Sequence, residues 1–421
     1  MTLVRPPLLQ SRREWAVFAG AMLLIAAVRL GMTWHEYRAF VSAPMLYRHT
    51  TLVAHYPKIR HGRSVTIAKV RTASGRHYYT TLYRTDLHRG DRLYLQLLPT
   101  PRIGWIAYLR GPYLSSRLKR VDPPRPTLVS RLERFVARQH TDGQMAAIYN
   151  ALFWATPLPR EVRDAFARLG ISHLVALSGM HLGMMWLVLF GIMRWAYRWA
   201  QQRWFPGRYD RFDVGGAVLI VLAGYVALVG APASLVRAYA MVLLGWVLML
   251  MGVEVIGFGF LAAVVLVLLA LAPVLLFSLG FWLSVAGVFY IFLLLQQCRD
   301  RPAYLVGIVC IPIGIFFLMQ PLVHGWFGVT TPWQLLSPLL SVGFVLFYPL
   351  AVILHLVGAG GWLDGALQGL LSLSDAGREL IVPPEGVIVY VALSIAAAKW
   401  RWGGYALWGV ALALAVYGLW G

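Results

Sequence analysis

Acidic residues are scarce in this 421-residue chain: 17 Asp and Glu stand against 38 Lys and Arg, a formal net charge of +21. Cysteine is nearly absent. Its two copies, Cys298 and Cys310, both lie in the apolar C-terminal half, so no disulfide framework or cysteine-based zinc site is available to the basic N-terminal part. No G-x-x-x-x-G-K-[ST] occurs, which excludes ATP hydrolysis of the P-loop kind. No dense His/Asp cluster suggests a two-metal hydrolytic centre. Internal repeats and low-complexity tracts are also missing.

What is abundant is apolar surface. Hydrophobic residues make up 59% of the chain and the mean hydropathy is +0.64, values that point to an integral membrane protein. A bilayer crossing needs about 20 mostly apolar residues, and the sequence offers about eight to ten such segments. They are read at Ala16–Met32, Leu174–Tyr197, Val214–Gly230, Arg237–Gly252, Val255–Ala272, Leu275–Gln296, Ala303–Gln320 and Leu335–Val357, with a shorter pair at Val387–Ala398 and Tyr405–Trp420. Arg5, Arg12 and Arg13 precede the first run, which places the N-terminus in the cytoplasm. A cleaved signal peptide is the rival, but the run is long and "HEYRAFVSA" is a weak, distant cleavage site, so a retained anchor is expected. The arginine-rich "RWAYRWAQQRWFPGRYDR" and "CRDRP" also belong inside, whereas the topology after Gly358 stays open because "KWRW" breaks the charge rule.

The excess charge is concentrated. Residues 36–137 hold 19 Lys/Arg and 5 Asp/Glu, a balance of +14, which favours polyanions such as nucleic acid or anionic lipid headgroups. Here "TTLVAHY", "SVTIAKVRT", "HYYTTLYRT" and "DRLYLQLLPTP" read as strands separated by turns at Gly75 and Gly90. Several short strands in so few residues suggest a small OB-like barrel. Cations interleaved with Tyr78, Tyr79, Tyr83, Tyr94, Trp105 and Tyr108 suit single-strand binding, although about half of such rings belong in a core. The candidates are Lys58, Arg60, Arg63, Arg71, Arg76 and Arg84 for the backbone, with Tyr78, Tyr79 and Tyr83 for bases. The chain thus divides into a tail and first span (1–35), a basic barrel on the far side of the membrane (36–126, ending in the proline-rich "VDPPRPT"), amphipathic helices (127–172) and a membrane domain (173–421).

Within the membrane domain, "GISHLVALSGMHLGMM" places His173, Ser178 and His181 at i, i+5 and i+8. On one continuous helix the two histidines would stand roughly 80° apart with Ser178 between them. A hydrolase would need a nearby carboxylate, and the nearest, Glu161 and Asp164, lie on the preceding helix. A metal site would need further ligands. A polar lining for an aqueous path, or hydrogen bonding between helices, needs nothing more. Gly179 and Gly183 form a G-x-x-x-G pair suited to close helix packing, or to a chain break beside Ser178. Arg237 in "GAPASLVRAYAMV" is either a snorkelling cation or a phosphate ligand.

Taken together, "LGISHLVALSGMHLGMM", "PASLVRAYAMV", "LGFWLSVAGV" and "FGVTTPWQLLSPLLS" resemble, in order and spacing, segments of the ComEC competence proteins. Those are inner-membrane channels that import transforming DNA. The resemblance implies a multi-pass inner-membrane channel for single-stranded DNA, without catalytic residues, metal or cofactor, its path lined by His173, Ser178, His181, Ser234 and Arg237. It further implies a separate extracytoplasmic DNA receptor, a separate nuclease, and a cytoplasmic motor or DNA-binding protein. Two positions depart from the family: Trp282 replaces a Gln and Gln334 an Asn. The metallo-β-lactamase-like domain of many members has no counterpart here. The rivals are an intramembrane hydrolase or metalloenzyme using the same His173, Ser178 and His181, and a transporter of a small or lipid-linked substrate.

Overall fold

The computed structural model describes residues 8–60, 63–73, 75–84, 87, 90–100, 102–122, 127–250, 257–373 and 377–420. The side chains of Tyr56, Pro57, Ile59, Arg60, Arg63, Ala233, Leu419 and Trp420 lie outside that description. So does 123–126, most of the expected proline linker. Two compact units emerge, one formed by residues 13–130 with 266–278, the other by the rest of the chain.

The first unit begins with helix α1 (Arg12–Ser42), whose apolar stretch buries nothing against protein. Leu23, Leu24 and Val28 are all more than half exposed, as a lipid-facing span requires. Its last turns change partner. Phe40 stacks on Tyr78 with ring centroids 5.7 Å apart, and Tyr37 donates its hydroxyl to Ile103 O at 2.8 Å. The helix therefore runs directly into the barrel core rather than ending before it, which shifts the expected boundary at residue 35.

The barrel consists of β1 (Leu46–Arg60), β2 (Arg63–Thr72), β3 (His77–Leu82), β4 (Arg92–Leu98) and β5 (Tyr113–Asp122), with α2 (Trp105–Arg110) between β4 and β5. It closes in the order β1-β2-β3-β5-β4, with β3 and β5 parallel and the other described pairings antiparallel. This five-stranded closure is the OB-like topology expected. Alternation drives it: along β3 every second side chain is buried, and Leu52, Leu82, Leu93, Leu95, Leu97 and Leu114 fill the interior. Strand β5 escapes sequence reading because "YLSSRLKRVD" is polar on its outward face, so its β character comes from pairing with β4. Gly111 turns α2 into β5 at φ +91°, and a Cβ there would sit 2.9 Å from His77 O. Only glycine fits. The chain revisits this unit at Pro273–Phe277, a short 3₁₀ turn on which Arg110 rests its guanidinium, 5.1 Å from the Phe277 ring centre.

The second unit is helical. It carries α3 (Leu128–Ala137), α4 (Gly143–Trp154), α5 (Arg160–Arg168), α6 (Ser172–Val175), α7 (Gly179–Trp204), α8 (Asp210–Leu228), α9 (Ala233–Leu250), α10 (Phe258–Leu271) and α11 (Leu279–Gln297). Then follow α12 (Ala303–Val323), the short strand β6 (Val329–Thr330), α13 (Ser337–Leu356), α14 (Asp364–Ser372), β7 (Arg378–Glu379), α15 (Pro384–Ala397) and α16 (Arg401–Trp420). β6 and β7 pair antiparallel. Among the described residues, six helices are long and apolar enough to cross a membrane: α1, α7, α8, α11, α12, and Pro332–Leu356, which contains α13. Parts of α9, α10 and α15 form shorter apolar helices.

Two expectations change here. The first span of the membrane domain starts at Gly179 rather than Leu174, because the chain breaks between α6 and α7. The segment expected to be amphipathic is so in α3 and α5, but α4 between them is a core helix. In α4, Met145, Ala146, Ile148, Tyr149, Ala151, Leu152 and Phe153 are all buried, packed with α5, α6 and the Phe344–Tyr348–Ala351 face of α13.

Candidate functional site

The segment Ile171–His181 folds as helix, break, helix. One turn of α6 ends at Val175, Ala176 and Ser178 are extended, and α7 starts at Gly179. Local chemistry dictates the restart. Ser178 is the N-cap of α7, its hydroxyl accepting from the His181 backbone N–H, while His181 Nδ1 accepts from the Ser178 N–H at 3.3 Å. This is a capping box in which histidine stands where Glu or Gln usually does. The single helical face expected to carry both histidines therefore does not exist, because His173 lies on α6, beyond the break.

The two histidines have opposite surroundings. His181 is fully buried, edge-on to Phe344 and Tyr348 at 5.2 and 4.9 Å between ring centres. With Nδ1 accepting, its Nε2 carries the proton, and that nitrogen has no partner among the described residues. His173 is exposed on α6. Its Nε2 is 3.3 Å from Ser341 Oγ of α13, and Ser341 donates to Ser337 O at 2.7 Å. Ser172, Ala176 and Gly179 are exposed along the same break. Small and polar residues thus stand exposed along the interruption of the helix.

Ser234 joins this arrangement from the first turn of α9, donating to Leu177 O at 2.9 Å and satisfying a carbonyl freed by the break. Arg237, one turn on, is 7% exposed and lies 5.8 Å from the Phe281 ring centre, its Nε unpartnered among the described residues. It is buried in the helical unit, so snorkelling does not describe it. Gly179 brings α7 against α9, where a Cβ would meet Ala238 Cβ at 3.6 Å, while one on Gly183 would meet nothing. Close packing of this pair is thus confined to its first glycine.

A clamp missed in the sequence holds the turn between α5 and α6, ahead of the break. Thr331 Oγ1 donates to Arg168 O at 2.6 Å, Ser337 Oγ to Gly170 O at 3.0 Å, and Gln334 Nε2 to Val329 O at 2.9 Å. Gly170, at φ +68°, leaves room for Gln334, whose Cγ would be 3.2 Å from an added Cβ. Gln334 therefore keeps a polar role. The spacing of Thr331, Gln334, Ser337 and Ser341, three to four apart, was the available signal. Among the described residues no group of three or more His, Cys, Asp or Glu gathers at metal-binding spacing.

On the barrel the candidates scatter. Lys58 is exposed on β1, and Arg60 pairs in register with Arg63 at the hairpin end. Arg71 is half-buried on β2, opposite His77. Arg84, past β3, is exposed. Tyr83 is 78% exposed, and Tyr79 is half-buried with Lys69 Nζ 5.7 Å from its ring centre. Two candidates point elsewhere. Tyr78 is a core residue against Phe40, and Arg76 is ion-paired with Glu36 over the Tyr108 ring. Burial removes Tyr78 as a stacking surface. An outward set that sequence reading did not assemble is Tyr47, His49 and Tyr94 on β1 and β4, with Tyr94 5.9 Å from Tyr47 and 4.7 Å from His49.

Comparison with known proteins bears mainly on the helical unit. No solved structure is significantly similar to the chain. It is 26% identical over 269 residues to the uncharacterized protein YcaI of Escherichia coli (strain K12), which covers 60% of this chain and 34% of that protein. The chain thus spans about a third of that relative's length. The family described as Competence protein matches residues 155–421, the stretch that contains the break, its clamp, Ser234 and Arg237. With more than half of its length matched, the chain belongs to the competence protein family.

Proposed function

We propose that this chain is a multi-pass channel of the bacterial inner membrane that passes single-stranded DNA into the cytoplasm during natural competence. The observation that carries this reading is the exposed, partly polar break at His173–Gly179, set inside the family-matched helical unit. DNA cannot cross hydrocarbon, so its route needs irregular backbone that lines water. His173 and Ser341 form one wall, Ser178 and Ser234 hold the break open, and Arg237 offers the strand a phosphate contact. Few deep charges suit passage, since a tight grip would stall the strand. The barrel, on the extracytoplasmic side, collects the strand through Lys58, Arg60, Arg63, Arg71 and Arg84, with Tyr79 and Tyr83 as stacking faces. The N-terminus lies in the cytoplasm, as Arg12 and Arg13 favour. Receptor, nuclease and motor are separate proteins.

One distance favours a hydrolase: Ser178 Oγ lies 3.2 Å from His181 Nδ1. The capping box already accounts for it, and among the described residues no carboxylate orients the ring. Deleting the gene and following fluorescent DNA in a transformation assay tests the channel, with DNA expected to stop outside the inner membrane. Normal transformation ends the proposal. Stoichiometric zinc lost in His181→Ala would transfer these residues to a metalloenzyme.

A further inference from the structure

At the corner between α13 and α14, three titratable side chains form a buried chain. His355 Nδ1 donates to Ala351 O at 2.7 Å, and its Nε2 meets His140 Nε2 at 3.0 Å. On its other side His140 Nδ1 lies 3.0 and 2.9 Å from the two oxygens of Asp364. The His140 side chain is fully buried, and that of Asp364 is 15% exposed.

A neutral His355 spends its proton on Ala351 O, so its Nε2 accepts and His140 Nε2 donates; a doubly protonated His355 donates from both nitrogens, and His140 Nε2 accepts. Either way the three links need three protons, and an imidazole, a stronger base than a carboxylate, holds the third while Asp364 accepts. With two protons instead of three, one link faces two lone pairs. We propose that Asp364, His140 and His355 form a buried proton-binding site that latches the loop before α4 onto the α13–α14 corner while the third proton is held.

The surroundings fit a built site. Gln139 Nε2 donates to His355 O at 3.1 Å, and its Oε1 accepts from Gly360 N at 2.9 Å. A Cβ on Gly360 would lie 2.7 Å from His355 Nε2, so glycine is what admits the loop. Tyr149 of α4 stacks on His140 with centroids 4.6 Å apart, and Phe153 closes on His355 at 5.0 Å. The titratable groups facing His140 are thus Tyr149 from α4, His355 from α13 and Asp364 from α14. Asp142, on its own loop, is turned to Gln144 N and Gln368. Water reaches the set through Asp364, which gives the proton a route. This inference does not depend on the channel reading, although α13 also carries Ser341, the partner of His173.

The test uses the full chain in lipid nanodiscs with ¹⁵N-labelled histidine. Near neutral pH, one imidazole protonated on both nitrogens is expected, its signal lost in His140→Gln. In Asp364→Asn that signal is also lost, yet the carboxamide N–H can donate to a neutral His140 and keep all three links. Hydrogen exchange of residues 138–149, corrected for the intrinsic rate, should then speed about tenfold toward about pH 9 in the natural chain and stay flat in Asp364→Asn. If that variant does not fold, the natural chain's histidine spectrum decides alone. No doubly protonated histidine, or protection that ignores pH, overturns the proposal. So does stoichiometric zinc bridging the two Nε2 atoms.

Discussion

The barrel and the helical unit expose opposite kinds of residue. In the barrel, leucines at 93, 95 and 97 are wholly inside and the cations stand outside, the arrangement of a protein folded against water. In the helical unit Leu187, Trp195, Ile220, Leu346 and Leu356 are each more than 70% exposed, while His181, Arg237, His324, Gln334 and His355 are inside. Apolar surface costs nothing against lipid, so beside an apolar core the helical unit gathers and shields polar groups. The difference identifies the solvent of each part, and it implies that the same substitution has opposite consequences in the two.

The sharpest way to break this comparison is a leucine in each unit. Leu95→Ala should destabilise the barrel by about 2–5 kcal/mol, since it empties a fully buried site. Leu346→Ala, 78% exposed on α13, should change stability by less than about 0.5 kcal/mol. Thermal unfolding of the full chain in detergent, followed by protease cutting within each unit, measures both. Equal losses would mean that Leu346 is covered by protein rather than lipid.

A second substitution probes the buried cation. Arg237→Met keeps the volume against Phe281 and removes the donors. Loss of a charge-assisted contact of about 1.5–3 kcal/mol should reduce DNA uptake on the order of ten- to a hundredfold at unchanged membrane abundance, with Arg237→Lys intermediate. Uptake unchanged in Arg237→Met would make Arg237 a packing residue.

The parts of this architecture visible in the sequence were those written in local periodicity. The apolar runs located the helices, with ends off by several residues, as at Leu275–Gln296 against α11 (Leu279–Gln297). Alternation gave β2 and β3. The break before Gly179 was harder, since helical periodicity runs straight through "SHLVALSGMHLGMM" and the stop depends on a histidine acting as a capping side chain. Polar pairs between distant segments were invisible. His140 and His355 are 215 residues apart, and nothing in their neighbourhoods announces a partner. The clamp from Thr331 to Ser341 had a regular spacing, but spacing alone does not say which carbonyls it would reach.

The barrel also holds one group that titrates against its surroundings. Burial first, then Lys69 and Arg71, push His77 down to about 4 from its ordinary value near 6.5, and its Nδ1 is buried without a partner among the described residues. The unfolded chain binds a proton there below about pH 6.5, whereas the folded barrel does so only below about 4. Barrel stability should therefore be complete above that window, fall as pH drops through it, and level off beneath. His77→Gln should flatten the slope in pH-dependent thermal unfolding. A slope unchanged by the substitution would assign the acid sensitivity to other groups.

The smallest effect expected separates glycines that carry packing from those that do not. A Cβ on Gly215 would run into the Trp246 indole, where α8 meets α9, so Gly215→Ala must displace a large ring. A Cβ on Gly183 meets nothing within 4 Å, and the residue lies inside α7, where alanine is favoured over glycine by about 0.5–1 kcal/mol. Gly183→Ala should thus leave DNA uptake unchanged and raise the melting temperature slightly, while Gly215→Ala lowers it by several degrees. If Gly183→Ala instead abolished uptake in a stable protein, the open space beside α7 would be occupied in the working state, either by a moving helix or by the strand itself.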